Sequence, residues 1–331
     1  MKQTLANDNA AFGVVIIGRN EGERLRRCLA SVLTSAELVV YVDSGSTDGS
    51  AALARAVGVQ VVDLEVTIPF TAARARNAGF RHLVQVAPAL RQVLFVDGDC
   101  EVIESWPSLA LAFLAGHPDV AAVCGRRRER FPERSIYNRL CDIEWDAPTG
   151  EVHSCGGDVM MRSEALQAVG GYRDDLIAGE EPELCVRLRH AGWRIWRLAA
   201  EMTLHDASLL YFGQWWKRAQ RGGHAFAEGA FLHGAPPERH GVLQTRRALL
   251  WGAVIPAVIL LLACWDVRAL GLAAIYPAQV IRLALRYGLS RRIGWSRAVY
   301  MLLARFPEAS GVFKFHWNRL LKHRTSLIEY K

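Results

Sequence analysis

Residues 12–43 read FGVVIIGRNEGERLRRCLASVLTSAELVVYVD, and this stretch gives the clearest indication of the fold class. The apolar runs at its two ends are short and rich in β-branched residues, which predicts two buried strands. Between them, apolar residues recur at helical spacing, at positions 25, 28, 29, 32 and 33. A strand, a helix and a second strand in this order indicate a parallel sheet that is covered by helices.

The same alternation continues along the chain. We predict helices over residues 50–57 and 71–86, and strands over residues 59–62 and 93–96. The expected fold class is therefore α/β, with a Rossmann-like, mixed and mostly parallel sheet flanked by helices. A hydrophobic, helical and membrane-associated region is expected to follow at the C-terminus.

The composition excludes several classes of protein. The chain has 331 residues, of which 51% are hydrophobic and 22% charged, so it is neither a collagen nor a disordered chain. Its seven cysteines are scattered without a Cys-x-x-Cys pair, which indicates reduced thiols and not a disulfide framework. Residues 1–11 are polar, and we expect them to form a flexible N-terminus without a secretory signal.

Acidic residues follow two of the predicted strands. Asp43 begins the segment DSGSTDG, and Asp97 and Asp99 frame the segment DGD. Ligands of open α/β sheets bind at the carboxyl ends of the strands, and paired carboxylates suit Mg²⁺ or Mn²⁺. An isolated Asp-Gly-Asp is also a common tight turn. No P-loop or G-x-G-x-x-G motif follows the first strand, so a metal ion would have to neutralise a bound diphosphate.

Seven short motifs, taken in order, resemble the family-two nucleotide-sugar glycosyltransferases, which have the GT-A fold. The motifs are VVIIGRNE (14–21), VDSGSTDGS (42–50), ARNAG (75–79), FVDGD (95–99), GGDVMMR (156–162), VGGY (169–172) and GEEPELCVRL (179–188). The resemblance covers about residues 12–210. It implies an inverting transfer of a sugar from a nucleotide diphosphate donor, most commonly a uridine diphosphate sugar, to an acceptor hydroxyl.

The resemblance also assigns roles to individual residues on the donor side. Asp43 would contact the nucleobase, Arg76 would lie near the pyrophosphate, and Asp97 would face the ribose or the sugar. The remaining assignments are Asn20 and Glu21 as further donor-binding residues, and Asp99 and His205 as ligands of Mg²⁺ or Mn²⁺. A histidine at the end of a strand can equally be structural.

On the acceptor side, the resemblance makes Glu181 the general base. Glu180 is a rival, because this chain has Glu-Glu where Glu-Asp is commoner. A helix N-terminus lined with acids is the alternative interpretation. Gly157 and Asp158 are further candidates for contact with the acceptor or the diphosphate.

Two basic segments leave alternatives open. Gln214, Trp215 and Arg218 could close over the diphosphate or stack on an acceptor sugar, or they could belong to an amphipathic helix at a membrane boundary. The run of arginines at residues 126–128 could meet a lipid diphosphate, although a solvated basic loop is the favoured interpretation.

The C-terminal part of the chain is basic and apolar. Residues 241–331 contain 14 Lys and Arg against three Asp and Glu. Residues 248–265 contain no charged side chain, and residues 269–285 contain one, that of Arg282. We expect a hairpin of two membrane-spanning helices over about 248–285, or two in-plane helices, followed by an interfacial basic helix over about 295–322. This pattern favours an anionic membrane lipid as partner and excludes nucleic acid.

Together these features predict a catalytic domain over residues 12–240 and a membrane-associated region over residues 241–331. The expected enzyme transfers a sugar to a lipid-linked glycan or lipid at the cytoplasmic face of the inner membrane, in bacterial cell-surface polysaccharide or glycolipid synthesis. Two alternatives are a sugar-phosphate nucleotidyltransferase and a non-catalytic membrane protein that binds a nucleotide sugar. The first alternative would need a Gly-rich, lysine-containing loop after the first strand, which residues 18–22 do not match.

Overall fold

The computed structural model describes residues 12–288 and 292–321. The predicted flexible segment, residues 1–11, and the end of the predicted interfacial helix, residue 322, lie outside the described residues. Within them the chain divides into two compact units, one formed by residues 12–134 and 141–208 and the other by residues 135–140 and 209–321. The functional boundary expected at residue 240 stays a prediction.

The elements of the chain up to residue 205 form the first unit, except that the start of α5 belongs to the second. They are β1 (Gly13–Gly18), α1 (Glu23–Leu33), β2 (Leu38–Asp43), α2 (Ser50–Ala56), β3 (Gln60–Asp63), α3 (Ala72–Val86), β4 (Gln92–Asp97), β5 (Cys100–Val102), α4 (Trp106–Gly116), β6 (Val120–Glu129), α5 (Ile136–Trp145), β7 (Gly150–Glu151), β8 (Val159–Arg162), α6 (Ser163–Ala168), α7 (Glu180–His190) and β9 (Arg194–His205).

The strands of the described chain join in one sheet, in the order β3-β2-β1-β4-β8-β6-β9-β5, with β7 beside β9. Strands β1 to β4 are parallel to one another, while β8 is antiparallel to β4 and β6. This confirms the predicted α/β class with a mixed sheet flanked by helices. Antiparallel pairing is more extensive than predicted, because β5, β7 and β8 all pair with antiparallel neighbours.

The parallel half of the sheet carries the core. The Val and Ile side chains of β1 are 0–9% exposed, as expected for a strand covered on both faces. Helix α3 approaches β1 closely at Gly79, where a Cβ would lie 2.4 Å from Cγ1 of Val15. Register pairs Asp43 with Gly18 and Asp97 with Ile17, so the ends of β2 and β4 flank the end of β1. The fold thus brings the predicted acidic residues to one edge of the sheet.

The second unit is helical in its described residues. Its elements are α8 (Phe212–His233), α9 (Val242–Leu249), a π-helical turn (Leu250–Val254), α10 (Ile255–Ala263), a 3₁₀ helix (Val267–Ala274), α11 (Ile275–Tyr287), α12 (Arg292–Leu303) and α13 (Arg305–Leu320). Helices α8 and α13 pack closely, because a Cβ at Gly223 would lie 2.0 Å from the carbonyl oxygen of Glu308. Such close contacts require glycine at the crossing point.

Two helical stretches of the second unit are long and apolar enough to be candidates for crossing a membrane. They span Val242–Ala263 and Val267–Tyr287, with 22 and 21 residues. Little of either stretch is buried, and Trp265 in the connection between them is 95% exposed. Length and composition are all that mark them as candidates.

His224 on α8 makes the second unit sensitive to acid. Its side chain has no exposed surface, packs edge-to-face on Phe315 and lies 3.5 Å from Oε2 of Glu228. Burial, with a smaller effect of Lys314, lowers the pKa of His224 to about 4. Because the unfolded chain binds this proton near pH 6.5 and the folded chain does not, the contribution to stability is present above about pH 6.5 and is lost as the pH falls through 4.

We therefore expect the purified protein to lose about 3 kcal/mol of stability between pH 6.5 and 4 through His224 alone. The comparison is denaturant unfolding of the wild type and of His224→Phe across this range. The variant should show a shallower loss of stability on acidification. Parallel pH profiles of the two proteins would contradict this account of His224.

Candidate active site

Arg76 joins two of the predicted site carboxylates. Its side chain on α3 is 2% exposed. Nη2 of Arg76 lies 2.7 Å from Oδ1 of Asp97 at the end of β4, and Nη1 lies 2.8 Å from Oε1 of Glu180 at the start of α7. Burial would by itself lower the pKa of the Arg76 guanidinium, but Asp97 and Glu180 raise it above its ordinary value. The guanidinium therefore stays charged and fixes the two carboxylates beside each other.

A second ion-pair network holds Asp97 from the other side. Arg127 on β6 lies 3.3 Å from Oδ2 of Asp97 and 2.9 Å from Oδ2 of Asp158. Asp158 has no exposed surface, accepts the N–H of Asp97 at 2.9 Å and accepts the hydroxyl of Thr203 at 2.7 Å. Because both oxygens of Asp158 are occupied by Asp97, Thr203 and Arg127, we expect Asp158 to position Asp97 and not to contact an acceptor.

Arg127 is a site residue that the sequence reasoning missed. The expected basic loop at residues 126–128 is wrong, since these residues lie in β6 and Arg127 is only 16% exposed. The sequence could have indicated the distinct position of Arg127, because alternate residues of a strand point to opposite faces. A strand interpretation would have separated Arg127 from its two neighbours.

Gly157 lies against the Arg76–Asp97 pair. A Cβ at this position would be 2.5 Å from Nη2 of Arg76 and 3.0 Å from Oδ2 of Asp97. The backbone can approach these charged groups only because Gly157 has no side chain. The predicted role of Gly157 in contact with a substrate stays a prediction.

We expect Gly157→Ala to displace Arg76, and to destabilise the protein by about 1–3 kcal/mol through the steric clash. Activity should fall with it, because the guanidinium can no longer hold both carboxylates. Gly116→Ala at the end of α4 is the matched control, since a Cβ there meets nothing within 4 Å. Denaturant unfolding that leaves Gly157→Ala as stable as Gly116→Ala would refute the clash.

Asp99 and His205 form a pair that fits a divalent metal ion. Oδ1 of Asp99 lies 3.3 Å from Nε2 of His205, and both side chains are buried. Adjacent ligands of an octahedral ion at about 2.1 Å are separated by about 3 Å, close to this distance. Imidazole is a poorer ligand for Mg²⁺ than for transition metals, so the pair suits Mn²⁺ better.

The surroundings of His205 fix the direction of its ring. Trp145 packs edge-to-face at 4.8 Å, and Nδ1 of His205 lies 3.9 Å from Oε2 of Glu129. Glu129 is itself tied to the backbone, accepting the N–H groups of Phe131 and Ala207. At 3.9 Å, Glu129 places a negative charge behind the imidazole without the hydrogen bond that usually orients a metal-ligating histidine.

The loops after β1 and β2 interlock. Oδ1 of Asn20 accepts the N–H of Thr47 at 2.7 Å, and the N–H of Glu21 donates to Oγ of Ser50 at 3.2 Å. Asn20 adopts φ 56°, a left-handed conformation that Asn tolerates better than most residues. These contacts fix the loops at the edge of the sheet where a donor nucleotide would bind.

Asp43 shapes its own loop. Its Oδ2 accepts the N–H groups of Gly45 at 3.0 Å and Ser46 at 2.7 Å, and its Oδ1 accepts the hydroxyl of Tyr41. Asp43 is 4% exposed. Its predicted contact with a nucleobase stays a prediction.

Glu180 and Glu181 face different surroundings. Glu180 is ion-paired with Arg76, whereas Oε1 of Glu181 accepts the N–H of Cys155 at 2.6 Å. The thiols of Cys155 and Cys185 lie 3.2 and 2.9 Å from the same oxygen. The structure thus brings Glu180, but not Glu181, into the ion-paired cluster with Arg76 and Asp97.

The predicted residues of α8 lie in the second unit, and their role toward a donor or acceptor stays a prediction. Oε1 of Gln214 accepts the N–H of Tyr211, which caps the helix. Trp215 is buried, and the centroid of its ring lies 6.1 Å from that of Tyr137 and 5.1 Å from that of Tyr300. Arg218 lies one turn further along the same helix.

A mixed sheet with interlocked loops after β1 and β2, and with acidic residues at the end of β4, defines the GT-A class of fold. Residues 13–168 match the family model described as glycosyl transferase family 2. Over these residues the chain is similar to that family.

Two curated relatives have similar sequences. The glycosyltransferase AglE of Haloferax volcanii is 25% identical over 195 residues, which are 55% of this chain and 62% of the relative. The succinoglycan biosynthesis protein ExoA of Rhizobium meliloti is 25% identical over 253 residues, which are 68% of this chain and 74% of the relative. The chain thus spans less than two thirds of AglE.

A solved structure supports the fold. The mannosyltransferase PcManGT from Pyrobaculum calidifontis, in complex with GDP-Man and Mn²⁺, superposes with a TM-score of 0.63. The alignment covers 95% of this chain and 89% of that chain, at 23% identity. At this identity the likeness establishes a shared fold.

Proposed function

We propose that this protein is an inverting glycosyltransferase that moves a sugar from a nucleotide diphosphate donor to a hydroxyl of a lipid-linked glycan or a lipid. The observation that carries the proposal is the arrangement around Asp97-Gly-Asp99. One carboxylate is held by Arg76, and the other lies against His205, both at the edge of the sheet where ligands bind. The match to the family-2 model and the similarity to the glycosyltransferase AglE support sugar transfer, and the similarity to the succinoglycan biosynthesis protein ExoA supports a role in polysaccharide synthesis.

Asp99 and His205 are the residues that would hold Mn²⁺ or Mg²⁺. When bound there, the ion would neutralise the diphosphate of the donor and stabilise it as a leaving group. Arg76 and Arg127 are permanently charged and lie beside Asp97, so they add positive charge near the same position. Asp97 would contact the ribose or the sugar of the donor.

Glu181 is the better general base of the two candidates. Protonating Glu180 would break its ion pair with Arg76, whereas the carboxylate of Glu181 is held by the N–H of Cys155 and by two thiols, which carry no charge. In the proposed reaction, Glu181 takes the proton of the acceptor hydroxyl as its oxygen bonds to the anomeric carbon. The bond to the diphosphate breaks in the same step, and the configuration inverts.

The second unit supplies the proposed membrane anchor. The stretches Val242–Ala263 and Val267–Tyr287 would enter the bilayer as a spanning or in-plane hairpin, with the catalytic unit on the cytoplasmic face of the inner membrane. We expect the wild type to float with anionic liposomes and a Val258→Lys/Leu261→Lys double variant to remain largely at the bottom of the gradient, because each lysine costs about 2.5–3.5 kcal/mol in the bilayer. Equal flotation would remove this hairpin as the anchor.

The activity is tested with detergent-solubilised protein, a panel of nucleotide sugars and a lipid extract as acceptor. Uridine diphosphate sugars come first and GDP-mannose second. Consumption of one donor with formation of a glycosylated lipid supports transfer, and NMR of the product gives its anomeric configuration. A retained configuration would contradict the single displacement, and the absence of transfer from every donor would contradict the function.

A further inference from the structure

A cluster of thiols surrounds Glu181. The Sγ atoms of Cys155 and Cys185 are 3.8 Å apart, and Oε1 of Glu181 lies within 3.2 Å of both. The three ligand atoms are all within 4.8 Å of one another, and all three residues are buried.

The geometry of this cluster matches the needs of a soft divalent cation. Two thiolates at about 2.3 Å from a tetrahedral zinc ion are separated by about 3.8 Å, the distance found here. A zinc-bound carboxylate oxygen lies about 3.5 Å from each thiolate, so Glu181 needs to shift outward by only a few tenths of an ångström.

The chemistry of this cluster differs from that of the Asp99–His205 pair. Thiolates prefer Zn²⁺ or Cd²⁺ to Mg²⁺ and Mn²⁺, whereas Asp99 and His205 offer oxygen and nitrogen. A buried carboxylate is also expensive to leave without a compensating charge, and a cation supplies that charge. The thiol of Cys100 lies within 4.8 Å of the ligand atoms of Asp99 and His205, so the two clusters differ in their number of thiols. With two thiols, the cluster around Glu181 is the softer of the two.

We propose that Cys155, Cys185 and Glu181 form a second cation site, which takes Zn²⁺ or a similarly soft ion and blocks the proposed general base. The two thiols release two protons as the ion binds, and the carboxylate becomes a ligand. The inhibitory consequence rests on the proposed function, but binding of the ion does not.

The binding test uses the full-length protein, reduced and stripped with a chelator, in the presence of saturating Mg²⁺. Cd²⁺ serves as the probe, because a thiolate-to-cadmium charge-transfer band in the ultraviolet reports on sulfur ligands. We expect a Cd²⁺ site with the sulfur band, and we expect the affinity of this site to be about tenfold or more weaker in Cys155→Ser and in Cys185→Ser. Cys264→Ser, which removes the exposed thiol, and Cys141→Ser, a buried thiol outside the cluster, should bind as the wild type does.

Thermal unfolding separates loss of the site from loss of the fold. In saturating Mg²⁺, Zn²⁺ should raise the Tm of the wild type and of the two control variants by more than it raises the Tm of Cys155→Ser and Cys185→Ser. Cd²⁺ binding without the sulfur band, or with equal affinity in all variants, would overturn the proposal.

A final measurement distinguishes this proposal from the proposed function. Stoichiometric Zn²⁺ should abolish sugar transfer by the wild type and by Cys264→Ser. It should inhibit Cys185→Ser much less, each activity being compared with that of the same protein without zinc. Thiol-dependent Cd²⁺ binding by a protein that transfers no sugar would refute the function and keep the site. Transfer that is insensitive to Zn²⁺ in a protein that binds it at the thiols would refute the block on Glu181.

Discussion

Glu181→Gln is expected to lower kcat of sugar transfer by about 10²- to 10⁴-fold, the usual contribution of a positioned general base. The amide keeps the size of the side chain, and its oxygen can still accept the N–H of Cys155, so the fold should be unaffected. The donor Kd should stay that of the wild type, because Glu181 lies outside the ion-paired cluster of Arg76. Steady-state kinetics and donor titration measure the two quantities separately.

Glu180→Gln is the matched control for this prediction. It removes the ion pair with Arg76 and should weaken donor binding, with a smaller effect on kcat. A variant Glu181→Gln with wild-type kcat would exclude Glu181 as the base. A large loss of kcat in Glu180→Gln alone would transfer the role to Glu180.

Asp99→Ala should reduce kcat/KM by at least about a hundredfold, because it removes a ligand of the proposed metal ion. The loss should depend on the metal: Mn²⁺ should stimulate the wild type strongly and the variant little. His205→Ala should show the same pattern, since His205 offers the adjacent ligand atom.

Asp63→Ala provides the control for Asp99→Ala. Asp63 also ends a parallel strand, β3, but its side chain is 62% exposed and paired with Arg55. This variant should keep the activity and the metal response of the wild type. Equal stimulation of wild type and Asp99→Ala by Mn²⁺ would show that the ion binds elsewhere.

The parallel half of the fold could be predicted because its information is local. The strands around Val15 and Phe95 are continuous apolar runs, and their register at the edge of the sheet follows from the βαβ connection. Asp97 and Asp99 were identifiable because each stands at the end of such a run. The local sequence pattern was therefore sufficient to predict the edge of the sheet and the carboxylates that lie there.

The partners of those carboxylates could not be predicted in the same way. Arg127 reaches Asp97 across 30 residues of chain, because β8 pairs with both β4 and β6, and local pattern does not specify this pairing. The different surroundings of Glu180 and Glu181 depend on Arg76 and Cys155, which are remote in sequence. Choosing between the two glutamates as base required these long-range contacts.

Donor binding with and without a metal ion shows whether Asp97-Gly-Asp99 holds the donor through a cation. Purified protein is titrated with the donor that supports transfer, in Mn²⁺, in Mg²⁺ and in chelator. We expect donor binding to be tightest with Mn²⁺, and to be lost in chelator and in Asp99→Ala. Binding of equal strength in Mn²⁺ and in chelator would contradict it, because Asp97-Gly-Asp99 would then be a turn without a role in holding the donor.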